Sequence, residues 1–143
     1  MKSKMLESTE ERTFALVMDT GDEAMASLFA FAKEHRISAA HFTGIGAFSR
    51  AVLGYFDWEK KDYVRIPVDE QVELVSLLGD VALEKGEPKI HAHAVAGKRN
   101  GTAMGGHLLE AVVRPTLEIV LTEPPSHLRR EFEPQSGLAL IQL

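Results

Sequence analysis

Cysteine is absent from this chain of 143 residues, and its absence excludes several kinds of chemistry at once. Without a thiol there are no disulfides, no thiolate metal ligands and no cysteine nucleophile. The chain also lacks the apolar run of about 18 residues that a membrane-spanning helix requires. Its opening, MKSKMLESTEER, turns acidic where a signal peptide needs an apolar stretch. We therefore expect a cytoplasmic protein with no membrane partner.

An excess of positive charge is missing as well. The chain holds 16 Lys and Arg residues against 21 Asp and Glu residues, so its net charge is -5. A negative chain repels polyanions, and nucleic-acid binding would need a local basic patch or a partner. The phosphate-binding pattern GxxxxGK[ST] and the serine-nucleophile pattern GxSxG are also absent, so we expect neither a nucleotide cofactor nor a serine nucleophile.

The composition that remains is that of one globular domain. Hydrophobic residues make up 45% of the chain and charged residues 26%, both close to the average of globular proteins. A chain of this length normally forms a single core. We expect one domain over residues 1–143, with residues 1–11 as a flexible N-terminus.

Only one segment has the pattern of a clear helix. Thr20 and Glu23 have the spacing of a capping box, which predicts that the helix begins there. Apolar residues then recur at helical spacing, and basic residues crowd the last turn over 33–36. Before the helix, an alternating run over 13–18 predicts the first strand.

The rest of the chain is rich in short strand patterns bounded by turn residues. They lie at 38–48, 51–57, 63–66, 72–83, 89–96, 104–113, 117–122 and 138–143. Many strands at hairpin spacing with one helix predict an α+β fold, in which a largely antiparallel β-sheet carries one main α-helix after the first strand. The Pro-rich, charged segment 123–137 is predicted to be an irregular excursion before the last strand.

Three of the six histidines have a spacing that favours a common site. His91 and His93 are two apart on a predicted strand, so their side chains share one face and lie roughly 7 Å apart. A three-residue loop over 99–101 places His107 directly opposite His93. A two-residue Asn-Gly turn, the commoner hairpin signal, shifts the pairing by one and needs a bulge to return His107 to that face. Both registers are compatible with the sequence.

Three neutral imidazoles on one face form the ligand set of a catalytic-type zinc site, which leaves a fourth position for water or substrate. Nickel, iron and copper accept the same donors. Two carboxylates nearby in sequence, Glu110 and Glu118, are candidates to orient a ligand or to act as a base. In the alternative interpretation the histidines are ordinary polar residues of a strand and a turn. The other histidines, His35, His41 and His127, are interpreted as structural or solvent-facing.

Three stretches, IHAHAVAG, GGHLLEAVVRPTLEIVLTE and HFTGIGAFSRAVLGYFD, resemble the plants and prokaryotes conserved (PPC) domain in its stand-alone prokaryotic form. The resemblance runs from the first strand at Thr13 to the final strand. It implies an α+β fold with an antiparallel sheet and one main helix, assembled as a homotrimer. It also implies that His91, His93 and His107, which stand at the family's HxH and GGH positions, form a metal or small-ligand site.

The resemblance brings an association with DNA. Plant members of the family pair this domain with AT-hook segments, and bacterial relatives are named DNA-binding by that association. This sequence lacks the Arg-Gly-Arg core of an AT-hook, and its adjacent arginines, Arg129 and Arg130, stand among acidic residues. Because minor-groove reading needs a positive arm, the charge of this chain does not support DNA binding.

Two hypotheses follow from these patterns. In the first, the protein is a homotrimer that binds a divalent metal, most simply zinc, or a small ligand at the three histidines. A water on the metal would then be the nucleophile of any reaction, with Glu110 or Glu118 as the base. In the second, the protein is a DNA-associated regulatory or protein-interaction module in which the histidines are structural. Neither hypothesis decides whether the protein is an enzyme.

Overall fold

The computed structural model describes residues 1–8, 11–124 and 127–142 as nine strands and one short helix. The strands are β1 (Lys2–Ser8), β2 (Arg12–Asp19), β3 (Ala39–Asp57), β4 (Asp62–Val68), β5 (Val72–Glu84), β6 (Glu87–Gly97), β7 (Ala103–Glu123), β8 (Arg129–Glu133) and β9 (Leu138–Gln142), and the helix is α1 (Ala24–Glu34). In the part of the chain described, no helix has the length and apolar character needed to cross a membrane.

The strands form one sheet that is mostly antiparallel, as predicted. Its path runs β1-β2-β7-β3-β5-β8-β9, with β4 paired to β3 and β6 paired to both β5 and β7. Because β3 pairs with β5, β5 with β6, β6 with β7 and β7 with β3, these four strands close into a ring. With its single helix, the sheet fits the predicted α+β class, although the helix is a small part of it.

The position of the helix in the chain differs from the prediction. Lys2–Ser8 pair antiparallel with β2 and form β1, so α1 follows the second strand and not the first. The sequence pattern missed β1 because its residues, KSKMLES, show no hydrophobic alternation over most of their length. The expected single domain and the expected flexibility of residues 1–11 stay predictions.

The predicted capping box is wrong. The helix begins at Ala24 with Glu23 as its N-cap, and the Glu23 carboxylate accepts a hydrogen bond of 2.6 Å from the Ala26 amide. The Thr20 hydroxyl donates instead to the Pro115 carbonyl over 2.9 Å. The Thr20 hydroxyl, which the local pattern predicted to cap the helix, therefore hydrogen-bonds to a distant strand.

The core lies between α1 and the sheet. Leu28 and Phe31 of the helix are buried, and Phe31 meets Phe14 of β2 edge to face with ring centroids 5.2 Å apart. Burying one such side chain stabilises the fold by roughly 1.5–3 kcal/mol. The helix therefore packs over β6 and β7 and reaches β2 through Phe31.

Two strands are longer than their sequence patterns indicate. The predicted strands 38–48 and 51–57 merge into β3, and 104–113 and 117–122 merge into β7. The register between β3 and β7 shifts at three places, which bends both strands without ending the ladder. At Gly46 the two backbones are so close that a Cβ atom would lie 2.3 Å from the Thr116 carbonyl oxygen. The sequence pattern predicted a break within each of these strands. In the structure, bulges and a glycine lie there and each strand continues.

The segment 123–137 is only partly irregular, which corrects the predicted excursion. Arg129–Glu133 form β8, which pairs antiparallel with β9 and parallel with two residues of β5. We call these two strands, with the turn between them, the β8–β9 hairpin. The sequence pattern did not predict β8, because RREFE is charged at four of its five positions and shows no apolar alternation. Positions 125 and 126 of this segment lie outside the described residues.

Candidate metal centre

The β6–β7 hairpin brings the two histidine motifs together. His93 and His107 are directly paired across the strands. The Lys98 amide donates to the Thr102 carbonyl over 2.8 Å, which leaves a loop of three residues, 99–101. Of the two registers compatible with the sequence, the structure has the three-residue one.

Asn100 and Gly101 stabilise this three-residue loop, although an Asn-Gly pair more commonly forms a two-residue turn. The Asn100 side-chain oxygen accepts hydrogen bonds from the Thr102 amide at 3.0 Å and the Thr102 hydroxyl at 2.7 Å. Gly101 has a φ of 83°, a left-handed conformation that costs glycine no steric clash. The Asn-Gly pair therefore fits the wider loop, and no bulge is needed to bring His107 to the face of His93.

The ring nitrogens of His91, His93 and His107 cluster on the outer face of the sheet. One nitrogen from each ring lies within 4.8 Å of the other two, and the Nε2 atoms of His91 and His93 are 3.2 Å apart. Alternation along β6 buries Ala92 and Ala94 and turns the two histidines outward. Nitrogens that bind zinc at about 2.0–2.1 Å with tetrahedral angles lie roughly 3.4 Å apart. Small side-chain rotations would therefore suffice for the three rings to hold a metal ion.

The surroundings of the cluster favour neutral imidazoles. Burial lowers the pKa of His107 to about 4, helped by the positive charges of His91, His93 and Lys89. Burial and the charge of His91 also lower the pKa of His93. A neutral imidazole keeps a free lone pair, which is what a metal ion needs. The donor set therefore suits a divalent metal at neutral pH.

A carboxylate and a guanidinium stand behind His91. Asp80 is the cross-strand partner of His91, and its Oδ2 lies 3.5 Å from the Nδ1 of that ring. The other Asp80 oxygen accepts a short hydrogen bond from the buried Arg130 of the β8–β9 hairpin. Burial by itself raises the Asp80 pKa, but hydrogen bonds from His91 and Arg130 outweigh it and leave the pKa below its ordinary value. An ionised Asp80 would hold His91 with its Nε2 directed to the cluster, as carboxylates do behind metal-binding histidines.

An aromatic side chain supports His107. The Tyr63 ring stacks on the His107 ring with centroids 4.5 Å apart, and its hydroxyl lies 3.5 Å from the His107 Nδ1. Burial raises the Tyr63 pKa, so the phenol keeps its proton at neutral pH. Tyr63 therefore offers a hydroxyl donor at the edge of the cluster.

Sequence reasoning did not identify Asp80, Arg130 or Tyr63. The sequence did contain a signal for Asp80. A two-residue turn at Lys85-Gly86 places Asp80 opposite His91 on the neighbouring strand. No local pattern indicates the other two, since β4 and β8 reach the site from distant parts of the chain.

The structure does not bring the two candidate carboxylates to the cluster. The Glu110 carboxylate pairs with Arg65 and is half-exposed in a separate cleft. Glu118 lies between Val17 and Ile45, its cross-strand partners on β2 and β3. Neither glutamate lines the cavity that adjoins the histidines.

The remaining histidines lie outside the cluster, although His41 is the cross-strand neighbour of Asp80 on β3. His35 is the C-cap of α1, where its amide donates to the Phe31 carbonyl over 3.0 Å. His127 Nδ1 lies 2.5 Å from the Ser38 hydroxyl oxygen, and His41 is exposed on β3.

An apolar surface adjoins the cluster on the outer face of the sheet. We call it the apolar face, and its large apolar side chains are between 37% and 62% exposed: Val17, Ile45, Val75, Leu78 and Val120. The exposed carboxylate of Glu118 lies within it, between Val17 and Ile45. Leu78 is the direct cross-strand partner of His93, and paired side chains share a face. The apolar face therefore ends beside the histidine cluster.

Comparison with protein-family models gives a match over most of the chain. Residues 5–125 match the model described as the Plants and Prokaryotes Conserved (PCC) domain. This is the domain that the sequence stretches resemble, under a different abbreviation. No curated protein matches the chain.

Solved structures resemble the chain closely over its whole length. A plant- and prokaryote-conserved (PPC) protein of Pyrococcus horikoshii is 38% identical, covers 92% of each chain and has a TM-score of 0.87. A protein of Archaeoglobus fulgidus described as metal-containing is 34% identical, covers 100% of each chain and has a TM-score of 0.86. A candidate DNA-binding protein of Ralstonia eutropha is 30% identical over 91% of this chain and 90% of its own, with a TM-score of 0.85.

Proposed function

This chain belongs to the Plants and Prokaryotes Conserved domain family, and we propose that it is a metal-binding member in which His91, His93 and His107 hold one divalent ion, most simply zinc. The observation that carries the proposal is the convergence of one nitrogen from each ring within 4.8 Å. Three imidazoles leave a fourth coordination position open, which is the arrangement of sites that bind and activate a ligand. The A. fulgidus relative, described as metal-containing, supports this proposal.

Each part of the chain has a separate task in this proposal. The hairpin positions His93 against His107, Asp80 orients His91, and Tyr63 stacks on His107. When bound, the metal supplies a positive charge that polarises a ligand. Glu110 and Glu118 have no part in it, because neither lines the cavity beside the histidines.

The protein works as a homotrimer, with the apolar face as the contact between copies. Contiguous apolar patches of this kind on a sheet mark protein–protein contacts, since leaving them in water is unfavourable. The rings of His91 and His107 also line a cavity that shares no residue with the grooves along the apolar face. Assembly over the apolar face would therefore bury residues other than those that line the cavity.

The test is elemental analysis of the purified, untagged protein together with its mass in solution. We expect about one metal ion per chain, as for a site with three protein ligands, and its loss in His91→Ala/His93→Ala. The matched control is His127→Ala, which removes a histidine that lies outside the cluster and should keep the metal. A metal-free wild type, or a double variant with full metal content, would contradict the proposal.

A second candidate function is DNA association, and it is favoured by the R. eutropha relative, which is described as a candidate DNA-binding protein. In that case the histidines stabilise the fold and the trimer presents a partner surface. Binding through phosphates would show an affinity that falls steeply with salt. No binding to duplex DNA at low salt would exclude it, and collapse of the trimer in His93→Ala would indicate a structural role for the histidine.

A further inference from the structure

A cavity of about 420 Å³ adjoins the histidine cluster, a volume typical of small-molecule sites. His91 and His107 form one side of it, and Tyr63 contributes its hydroxyl end. The β8–β9 hairpin forms the opposite wall with residues 137–140 and Phe132. The metal site proposed above therefore opens into a partly enclosed space.

Positive charge lies on the histidine side of this cavity. Lys89 is two residues before His91 on β6, so its side chain leaves the strand on the same face as the cluster. Its ammonium group is 3.5 Å from the Glu84 carboxylate, a long and half-exposed ion pair, and both side chains line the cavity. Arg130 is already paired with Asp80. Lys89 is thus the cation whose partner is most easily exchanged for a ligand.

A charge balance indicates the sign of that ligand. Lys89 with Glu84 and Arg130 with Asp80 cancel in pairs, and three neutral histidines add nothing. A divalent ion at the histidines would leave two uncompensated positive charges in a partly enclosed site, where charges are poorly screened. An anionic ligand relieves that imbalance, whereas a neutral ligand does not.

Apolar side chains also line the cavity. Leu109 of β7 lies beside His107, and Leu138 and Leu140 of the hairpin face the cavity. Phe132 is 68% exposed and Leu140 is 38% exposed, so apolar area remains in water next to the charged groups. A ligand that covers this area gains free energy in proportion to the apolar surface it buries.

We propose that this cavity binds a small organic carboxylate with a short apolar chain. The carboxylate lies between the histidine cluster and the Lys89 ammonium, within reach of the Tyr63 hydroxyl, and the chain lies against Leu109, Leu138 and Leu140. This inference rests on the proposed metal site and adds the chemical class of its ligand. Inorganic phosphate has no apolar part to place against the leucines, so it should compete more weakly than a carboxylate of matching size.

The test uses the full-length protein loaded with Co²⁺, whose visible absorption reports its ligands. Cobalt content is measured first, and butyrate is then titrated alongside acetate, butyramide and phosphate. We expect a saturable spectral change with butyrate and none with butyramide. Butyrate should bind more tightly than acetate by about two- to fourfold per added methylene, and more tightly than phosphate.

Two variants should move butyrate affinity in opposite directions without changing cobalt content. Lys89→Met removes the ammonium and should weaken binding about fivefold or more, while Glu84→Gln removes the competing carboxylate and should tighten it about threefold, as expected for partly buried charge contacts. The matched controls are Lys98→Met and Glu70→Gln, which break an ion pair whose charged atoms are 2.9 Å apart. Neither residue lines the cavity. Both controls should bind butyrate like the wild type.

The two proposals fail in distinguishable ways. A protein that takes up no Co²⁺ overturns the metal site and this inference with it. A normal cobalt content with butyrate no better than butyramide, or with Lys89→Met indistinguishable from wild type, overturns the carboxylate site alone.

Discussion

His107 is the histidine whose chemistry is changed most by its position. It is half-buried under Tyr63 and faces His91, His93 and the ammonium of Lys89, so burial and like charges lower its pKa to about 4. The unfolded chain takes up a proton at this residue near pH 6.5. Between these two pH values the unfolded state binds more protons than the folded state, so acid destabilises the fold.

The metal-free protein should therefore lose stability as the pH falls from about 6.5 to about 4. His93 contributes in the same direction, because its pKa is also lowered. Urea unfolding at several pH values measures the effect, and His107→Asn should have a flatter profile over that window. His127→Asn is the control, since it removes a histidine outside the cluster and should leave the fall in stability that His107 causes. A wild-type curve that is flat between pH 6.5 and 4 would show that His107 titrates normally.

Asp80 should act on metal affinity through His91. Replacing the carboxylate in Asp80→Asn removes the negative charge behind the ring, and such changes typically weaken metal binding about 10- to 100-fold. Competition with a chelator measures the affinity, and the Co²⁺ spectrum reports whether the ligand set is unchanged.

Asp62→Asn is the control for this change. Asp62 is exposed at the start of β4, where its carboxylate accepts a hydrogen bond from the adjacent Tyr63 amide. It should keep wild-type affinity. Equal metal affinity in Asp80→Asn and wild type would mean that Asp80 serves only as the partner of Arg130.

At the scale of elements, the site depends on two long strands that bend without breaking. β3 and β7 run side by side for most of their length, and their shifts of register turn the sheet so that it can close. The sequence divides each of them into two strands because bulges and glycines look like chain breaks when only local pattern is available.

Gly46→Ala should destabilise the protein by about 2 kcal/mol or more, because overpacking against backbone cannot be relieved by a side-chain rotation. The new Cβ would lie 2.3 Å from the Thr116 carbonyl oxygen and 2.8 Å from the Leu117 Cα. Gly105→Ala is the matched control, since its Cβ would meet nothing closer than 3.5 Å and its φ is not positive. Chemical denaturation of both variants measures the difference. Equal stability of Gly46→Ala and Gly105→Ala would mean that the β3 and β7 backbones are not closely packed at Gly46.

At the scale of the whole molecule, the apolar face decides how copies associate. Val75 lies within it and is 58% exposed in a single chain. Val75→Asp should convert the proposed trimer to a monomer, because a charge would have to be buried without a partner at the contact. Light scattering after gel filtration measures the mass.

Val64→Asp is the control for the assembly. Val64 is 44% exposed on β4, away from the apolar face, and its replacement should leave the trimer intact. A wild type that is monomeric at all concentrations, or a Val75→Asp variant that stays trimeric, would remove the apolar face from the interface.

Local sequence determined a part of this protein. The antiparallel strands, the single helix and the common face of His91 and His93 follow from spacing within short segments, because alternation along a strand depends on nearest neighbours alone. The absence of cysteine likewise excluded thiolate ligands from any metal site.

Tertiary structure decided the rest. The spacing left two registers for His107, and the hydrogen bonds of Asn100 with Thr102 accompany the one that is formed. Arg130 and Tyr63 reach the cluster from β8 and β4, and Glu110 and Glu118 point to other surfaces. These placements depend on which strands pair when the sheet closes. Strand pairing depends on contacts between distant segments. The spacing of residues within one segment does not determine it.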